Sequence, residues 1–472
     1  MEPEHLSLNR VIGLTSLSNA SFIASPDGCI LYAAGCVCIL YNPKTNKQVG
    51  FFTVTRAISC IHLSNDGKYL AIGERGHLPC VTVWEVKKQK QLRSYAGHEH
   101  GISSVQFSPN GKYLVSIGFK HDKQMMLHEW EIDRLVCIEK MENKVNALSF
   151  HASGDFFVTC GDRHLKWWYF VFNDSDDKTS VSGLNGRPAS ILKAQQDSNF
   201  IDVKCCPKDA GGGETSNIFC TTSSGMLCLI HEKRLMDKWV QLDSSASYCL
   251  TLTPSFVIVG GTSGDVFVFN PSSLEFITTL PRAAPLSSSP GNSSSSSSSS
   301  KSDLNFAACY GITAIPLTTC VAVMYADRSI FIWDIADIHN PIKYKSFVFH
   351  KACIWDLVFI EQSAKNESVQ DLITNDPDSH SSISSAQDNR HRLPSGTFAT
   401  CGADNSICLW NLDPKMQRKS KWKSSYSRDL LHSFQLDEGC PSSSSMSETQ
   451  GGGGNSNPPD IELPDRQQVL YI

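Results

Sequence analysis

The chain has 472 residues, and its 42 lysines and arginines against 47 aspartates and glutamates give a net charge of −5 at pH 7. A pI near 6.3 argues against a nucleic-acid-binding domain, for which a pI above about 9 is usual. Hydrophobic residues make up 41% of the chain, which excludes a wholly disordered protein. The polar first ten residues predict no secretory signal, and no apolar run approaches the roughly 18 residues that span a bilayer.

The 18 cysteines lie mostly within apolar runs, where cysteine behaves as a small buried hydrophobic residue. No Cys-x-x-Cys pair occurs, and the close pairs Cys36/Cys38 and Cys205/Cys206 lack the second half of a zinc site. We therefore expect reduced, structural cysteines in a cytoplasmic protein, with no metal ion and no other cofactor.

A short turn sequence recurs along the first part of the chain. It is present at Ser25–Gly28, Ser64–Gly67, Ser108–Gly111 and His151–Gly154, with spacings of about 39, 44 and 43 residues. An alternating strand such as Ile102–Phe107 precedes the turn, and an Asn-Gly or Asp-Gly pair supplies the positive φ of a tight hairpin in three of the four. A period near 40 residues is typical of propeller blades, each built from four short strands.

The third predicted strand of several units ends in tryptophan, at Trp84, Trp168, Trp333 and Trp410. Two weaker units, Phe200–Val240 and Ser247–Thr279, occupy the middle of the chain. The sequence therefore predicts eight units and an all-β fold.

The units resemble the WD repeat, whose Gly-His and Trp-Asp signatures occur as Gly97-His98 and Trp333-Asp334. In that family a His, a Ser or Thr, an Asp and a Trp form a buried hydrogen-bonded tetrad. The resemblance assigns these four roles in the eighth unit to His350, Thr400, Asp404 and Trp410.

The third unit departs from this pattern. It keeps His98, Ser116 and Asp122, but it has His128 where the tryptophan is expected, and Trp130 two residues later.

Three further segments are similar to one WD-repeat group, that of the mitogen-activated protein kinase-binding protein and the microcephaly-linked spindle-pole scaffold; they are Gly35–Pro43, Asp66–His77 and Arg163–Tyr169. Members of the group have two tandem propellers and a long tail. The resemblance implies a seven-bladed WD-repeat β-propeller over residues 8–350, followed by an eighth blade-like unit, 351–413, that begins a second, truncated propeller. Residues 414–472 are expected to be a basic segment and a disordered linker.

Two segments are too polar to build a core. Residues 281–302 contain eight consecutive serines, which predicts a disordered insertion between the sixth and seventh blades. Residues 361–396 are expected to form a long polar loop within the eighth unit. Repeat proteins place such insertions in loops, so neither threatens the repeat.

No catalytic pattern is present: the chain lacks a phosphate-binding P-loop, a Gly-x-Ser-x-Gly elbow and a His-Glu-x-x-His zinc motif. We therefore expect a protein that is not an enzyme and has no small-molecule substrate.

The loops before the third strands of units two to four are basic. They carry Arg75, His77, Lys120, His121, Arg163 and His164. We hypothesise that these side chains converge on one face and bind an acidic or phosphorylated peptide. The alternative is that they are separate, solvated or capping side chains.

A second basic region, residues 415–428, interleaves cations with aromatic rings and contains no acidic residue. Its candidate contact residues are Lys419, Lys421, Trp422 and Lys423. Such a segment can engage a polyanion, for example an acidic tubulin tail, but it is equally consistent with a solvated connector.

The resemblance implies a non-catalytic scaffold that organises a stress-activated MAP kinase (c-Jun amino-terminal kinase) cascade or acts at centrosomes and spindle poles. Its partners would be kinase-cascade, spindle-pole or microtubule proteins. The alternative is a substrate-recognition subunit of a ubiquitin ligase. The Trp-Asp-x-Arg ending of such receptors is absent, since Ala336 and Asp413 stand at the arginine positions after Trp333 and Trp410.

Overall fold

The computed structural model describes residues 8–16, 18–172, 181–190, 198–206, 217–231, 233–244, 246–282, 306–360, 396–411, 430–435 and 470–471. The chain divides into two compact units, one of residues 1–349 together with 469–472, and one of residues 350–468. The insertion predicted at 281–302 and the polar loop predicted at 361–396 lie almost wholly outside the described residues.

The described secondary structure consists of 34 strands and one 3-10 helix, Asn19–Ser21. Strand β1 (Val11–Ile12) pairs with β34 (Leu470–Tyr471). The other 32 strands form eight antiparallel sheets, each of four consecutive strands. The first four sheets are β2–β5 (Phe22–Ala24, Ile30–Ala34, Val37–Asn42, Lys47–Thr53), β6–β9 (Ile58–Leu63, Tyr69–Glu74, Val81–Glu85, Lys90–Tyr95), β10–β13 (Ile102–Phe107, Tyr113–Gly118, Gln124–Glu129, Arg134–Lys140) and β14–β17 (Val145–Phe150, Phe156–Gly161, His164–Phe172, Val181–Pro188).

The remaining four sheets are built in the same way. They are β18–β21 (Phe200–Cys205, Ile218–Thr222, Met226–Ile230, Met236–Gln241), β22–β25 (Ser247–Leu252, Val257–Gly261, Val266–Phe269, Phe276–Leu280), β26–β29 (Cys309–Ala314, Cys320–Tyr325, Ile330–Asp334, Ile342–Phe347) and β30–β33 (Ile354–Phe359, Thr397–Gly402, Ser406–Asn411, Leu430–Gln435). The eight predicted units are thus confirmed as eight sheets.

The turns between first and second strands have the predicted geometry. Gly28, Gly67, Gly111 and Gly154 have φ between +71° and +80°, a region in which a side chain is strained. In two of these turns the first serine fixes the hairpin, because Ser64 Oγ and Ser108 Oγ accept the backbone N–H of the residue five positions later. The local sequence therefore determines where each sheet begins to fold back on itself.

The first strands of seven sheets form a closed ring in the first unit. Each contacts the next in chain order, and β26 of the seventh sheet contacts β2 of the first. Seven apolar clusters fill the spaces between neighbouring sheets, including the space between the seventh and the first. Burial of these facing apolar side chains is the main stabilising contribution to such a ring.

The ring closes by packing and side-chain hydrogen bonds, since every sheet in it is built from consecutive strands. Ala24 N–H donates to Thr313 Oγ1 (3.0 Å), and Ile312 N–H donates to Asn19 Oδ1 (3.1 Å). In the cluster at this interface, Phe22 packs with Ile315 and Met324. The amino-terminal residues 19–24 are therefore structural parts of the closure.

The second unit contains the eighth sheet. Its fourth strand, β33, follows residue 413, so the sheet extends beyond the boundary expected for the eighth repeat. Leu430 of this strand is buried and pairs with Trp410. Among the described residues, no helix has the length and hydrophobicity needed to cross a membrane.

Candidate interaction surfaces

One backbone hydrogen bond recurs in sheets two to eight and fixes where the loops lie. The residue after the second strand donates its N–H to the carbonyl just before the first strand. The donor and acceptor pairs are Arg75–Ala57, Phe119–Gly101, Asp162–Lys144, Ser223–Asn199, Thr262–Ala246, Ala326–Ala308 and Ala403–Cys353, with N···O distances of 2.8 to 3.2 Å. Loops between second and third strands therefore lie beside the loops that enter each sheet. In the first unit we call this end of the ring the loop face.

Five of the six residues predicted to bind an acidic peptide belong to the loop face and are at least partly exposed to solvent. His77, Lys120, His121 and Arg163 are exposed, and Arg75 is half-buried. Arg75 bridges to Gly101, whose carbonyl accepts the N–H of Phe119, so the second and third sheets bring their basic loops together. Within this group the ring centroids of His121 and His100 lie 6.0 Å apart.

Two carboxylates in these loops are saturated by backbone donors. Glu74 is buried and accepts N–H groups of Thr55, Arg56 and Cys80 at 3.1 to 3.3 Å. Asp122 is buried and accepts the N–H groups of Glu99 and His100. These buried acids therefore hold the loops in place through their backbone N–H groups.

His164, the sixth residue predicted to bind an acidic peptide, has a different position. It is half-buried, and its Nε2 lies 2.7 Å from Thr159 Oγ1, which also accepts the indole N–H of Trp168 at 2.9 Å. Burial and the nearby Lys166 lower the pKa of His164 to about 4, so the imidazole is neutral at pH 7. In the fourth sheet a histidine from the turn thus completes the network for which other sheets use a histidine from the incoming loop.

The eighth sheet brings together the four residues of the predicted tetrad. His350 Nε2 lies 2.7 Å from Thr400 Oγ1, which accepts the indole N–H of Trp410 at 2.7 Å. His350 Nδ1 lies 3.2 Å from Asp404 Oδ1, and Ser406 Oγ donates to the same carboxylate at 2.7 Å. Burial alone would lower the pKa of His350, but hydrogen bonds to Asp404 and Cys408 outweigh it and raise this pKa to about 9.

The third sheet has the same arrangement without the indole. His98 Nε2 lies 3.0 Å from Ser116 Oγ, and His98 Nδ1 lies 3.2 Å from Asp122 Oδ2. His128 pairs with the second residue of the neighbouring strand, which is the register position that Trp84, Trp168, Trp333 and Trp410 occupy in their sheets. Burial lowers the pKa of His98 against the opposing effect of Asp122.

Comparison with known proteins agrees with this geometry. The family described as "WD domain, G-beta repeat" matches residues 89–128, 135–169 and 372–411. WD repeat-containing protein 62 of Mus musculus is 33% identical over 430 residues, which cover 90% of this chain. The chain is a WD-repeat protein. Its eight sheets are WD-repeat propeller blades.

Two further relatives are similar to this WD-repeat protein. Mitogen-activated protein kinase-binding protein 1 of Mus musculus is 31% identical over 412 residues, or 86% of the chain. Cilia- and flagella-associated protein 52 of Chlamydomonas reinhardtii is 26% identical over 174 residues, or 35% of the chain and 28% of that relative. The chain spans about a quarter of the length of the first two relatives, 26% of each.

The second candidate surface of this WD-repeat protein, with Lys419, Lys421, Trp422 and Lys423, lies outside the described residues. Within the described part of the chain, no group of three or more His, Cys, Asp or Glu side chains is arranged to hold a metal ion.

Sequence reasoning missed the centre of the ring. A cavity of about 390 Å³ lies there, lined by residues of the first strands of all seven blades. Asn19 reaches into it and donates to Asp202 Oδ2 (2.6 Å) and to the carbonyl of Leu250 (3.2 Å). A signal for this site exists in the repeat: the penultimate residue of most first strands is a polar residue between two apolar ones.

Proposed function

We propose that this WD-repeat protein is a non-catalytic protein-interaction scaffold, and that its loop face binds an acidic or phosphorylated protein segment through Arg75, Lys120 and Arg163. The observation that carries the proposal is the recurring hydrogen bond that holds the loops of successive blades at one end of a closed ring. A ring of packed sheets changes shape little, so partners must engage the loops that it presents.

The charges of the loop face favour an anionic partner. Lys120 and Arg163 are exposed, and the nearby carboxylates of Glu74 and Asp122 are buried and hydrogen-bonded. Arginine presents a planar fork of donors that matches carboxylate and phosphate groups. His77 and His121 add ring N–H donors beside these cations. The loop face can therefore hold a phosphate group or a pair of carboxylates.

The cellular setting is proposed from the relatives. One of them is named for binding a mitogen-activated protein kinase, which supports a scaffold for kinase-cascade components, with the stress-activated c-Jun amino-terminal kinase branch as the proposed cascade. The group resemblance supports a cytoplasmic protein that associates with centrosomes or spindle poles. Proximity labelling in dividing cells tests this: kinase-cascade or spindle-pole proteins should be enriched, and enrichment of ubiquitin-ligase adaptors instead would favour the receptor alternative.

A charge-reversal experiment tests the loop face directly. The variant Arg75→Glu/Lys120→Glu/Arg163→Glu should bind an acidic phosphopeptide at least about tenfold more weakly, because three cations near the ligand become repulsive. The binding of the unmodified protein should also weaken steeply with salt. The measurement is fluorescence anisotropy with a labelled peptide.

The matched control changes the net charge equally at a distance from the loop face. The turns between the third and fourth strands of blades one and two carry the exposed residues Lys47, Lys87 and Lys90. These turns lie at the opposite end of the third strand from the loop face. Triple replacement of these lysines by glutamate should leave the affinity within about twofold of the original, since exposed charges beyond a Debye length of about 8 Å are screened. Equal affinities of the two triple variants for the peptide would contradict the proposal.

A further inference from the structure

The inner strands of the ring are linked by a side chain at the same position in successive blades. The fifth residue of a first strand accepts the N–H of the sixth residue in the next blade. His62 Nδ1 accepts from Phe107 (3.3 Å), Gln106 Oε1 from Phe150 (3.2 Å) and Ser149 Oγ from Cys205 (3.0 Å). Thr313 Oγ1 accepts from Ala24 in the same way. A fifth-position acceptor thus links four of the seven pairs of neighbouring blades.

Lys204 breaks this pattern. It is the fifth residue of β18, but an ammonium group has donors only and cannot accept a hydrogen bond from the next blade. Lys204 is half-buried and lines the central cavity. Within the described part of the chain, Lys204 forms no salt bridge. Its positive charge acts at longer range on Asp202 of the same strand, where it opposes the rise that burial causes in the pKa of that carboxyl. Partial burial of a lysine ammonium without a salt bridge costs free energy, and a bound anion would offset this cost.

The other groups around the cavity are compatible with an anion. Asp202 is the carboxylate that lines it, and its two oxygens already accept N–H groups from Val203, Asn19 and Leu250. Lys144 adds a second cation to the lining. The charged side chains that line the cavity therefore sum to one net positive charge.

Two neutral side chains supply further donors. His62 Nδ1 is an acceptor, so its Nε2 carries the proton, and burial together with Lys204 lowers the pKa of His62 to about 3. His62 of the second blade and Lys204 of the fifth blade line the same cavity. Gln106 uses its Oε1 as an acceptor, which leaves its amide N–H groups to donate.

We propose that the central channel of this WD-repeat protein binds an oxyanion, a phosphate or carboxylate group, with Lys204 as the charged ligand and His62 and Gln106 as neutral donors. A cavity of about 390 Å³ falls within the range of roughly 300 to 1,000 Å³ that is usual for small-ligand sites. The fifth positions lie near the ends of the first strands, opposite the loop face, so this site is separate from Arg75, Lys120 and Arg163.

Calorimetric titration with inorganic phosphate, at constant ionic strength, tests the site. The unmodified protein should bind phosphate, and Lys204→Met should lose at least about tenfold in affinity because the charged donor is removed. Lys204→Arg, which keeps the charge and the donors, should restore most of the binding. Lys90→Met removes an exposed lysine from the outer strand β9 and should bind as the unmodified protein does.

The stability of Lys204→Met provides a second readout that does not depend on ligand. In phosphate-free buffer this variant should have a melting temperature at least as high as the original, because a half-buried cation without a salt bridge is replaced by an apolar side chain. Phosphate should then raise the melting temperature of the unmodified protein more than that of Lys204→Met. A Lys204→Met variant that responds to phosphate as the original does, or an original that does not respond, overturns the proposal.

A further titration separates the two sources of the anion. A short glutamate-containing peptide that displaces phosphate from the unmodified protein identifies a side chain of a protein segment as a ligand, and phosphate binding without such displacement identifies a free anion. The loop-face triple variant should still bind phosphate in the channel. Loss of peptide binding at the loop face can therefore be distinguished from loss of phosphate binding in the channel.

Discussion

The third and eighth blades solve the same packing problem with different residues. In both, an imidazole joins a hydroxyl and a carboxylate, through His98, Ser116 and Asp122 in one and His350, Thr400 and Asp404 in the other. The eighth blade adds the indole of Trp410 as a donor to Thr400. The third blade has His128 at that register position, and the ring of His128 packs at a tilt against that of Tyr95, with ring centroids 4.5 Å apart.

The comparison teaches which part of the tetrad is replaceable. The nearby Trp130 of the third blade donates to the carbonyl of Gly111 and packs against Tyr69 of the second blade and Phe107 of its own blade. An aromatic side chain therefore still fills the space between blades when the indole donor is lost. The imidazole, hydroxyl and carboxylate are retained in both blades, since each is buried and needs its partners.

The largest effect is expected from removing the carboxylate in each blade. Asp122→Ala and Asp404→Ala should each cost about 3 kcal/mol, because a buried imidazole and backbone N–H groups lose their acceptor. Hydrogen exchange of β11–β12 and β31–β32 measures the local loss. Asp155→Ala, at an exposed turn, is the control and should change exchange little. A loss in only one of the two blades would contradict the shared role.

The two blades should respond to pH in opposite directions. The pKa of His350 is raised to about 9, above the unfolded value of about 6.5, so its stabilising contribution is complete below pH 6.5 and is lost as the pH rises through 9. The pKa of His98 is lowered, so its contribution is present above pH 6.5 and is lost as the pH falls through the folded value. For His350 the effect should amount to about 3 kcal/mol.

Imidazole NMR titration of the two histidines measures this difference. At pH 7, His350 should be protonated, held by Asp404, and His98 should be neutral. If both histidines had the same pKa, the predicted difference between the third and eighth blades would be wrong.

A smaller effect is expected for the indole donor. Trp410→Phe keeps most of the ring volume but removes the donor to Thr400, and it should cost about 1 kcal/mol. Trp130→Phe removes the donor to Gly111 in the third blade and should cost a similar amount, measured by the same exchange experiment. A much larger loss for Trp410→Phe would mean that the indole hydrogen bond is essential in the eighth blade, against the comparison with His128.

Much of the fold could be predicted because its determinants are local. The turns at Gly67 and Gly111 and the tryptophans at the ends of third strands are set within single units, and the structure confirms both. The position of His128 in the tryptophan register was also readable from spacing alone.

The remaining features depend on contacts between units. His164 completes the network of the fourth blade from within its own turn, which a search for a histidine in the incoming loop does not find. Lys204 becomes visible as an exception only when the fifth positions of neighbouring first strands are known to be linked. One sequence is therefore enough to predict the single blade, but the residues of the central channel can be recognised only once the arrangement of blades in the ring is known.

Closure of the ring between the first and seventh blades is the claim on which both proposed sites depend. Native-state hydrogen exchange of the Ala24 and Ile312 amides, which donate to Thr313 and Asn19 across this interface, tests it most directly. We predict protection of both amides close to that of the central strands β7 and β11, since a closed ring opens as one unit. Exchange of these two amides at the rates of exposed chain ends would contradict closure.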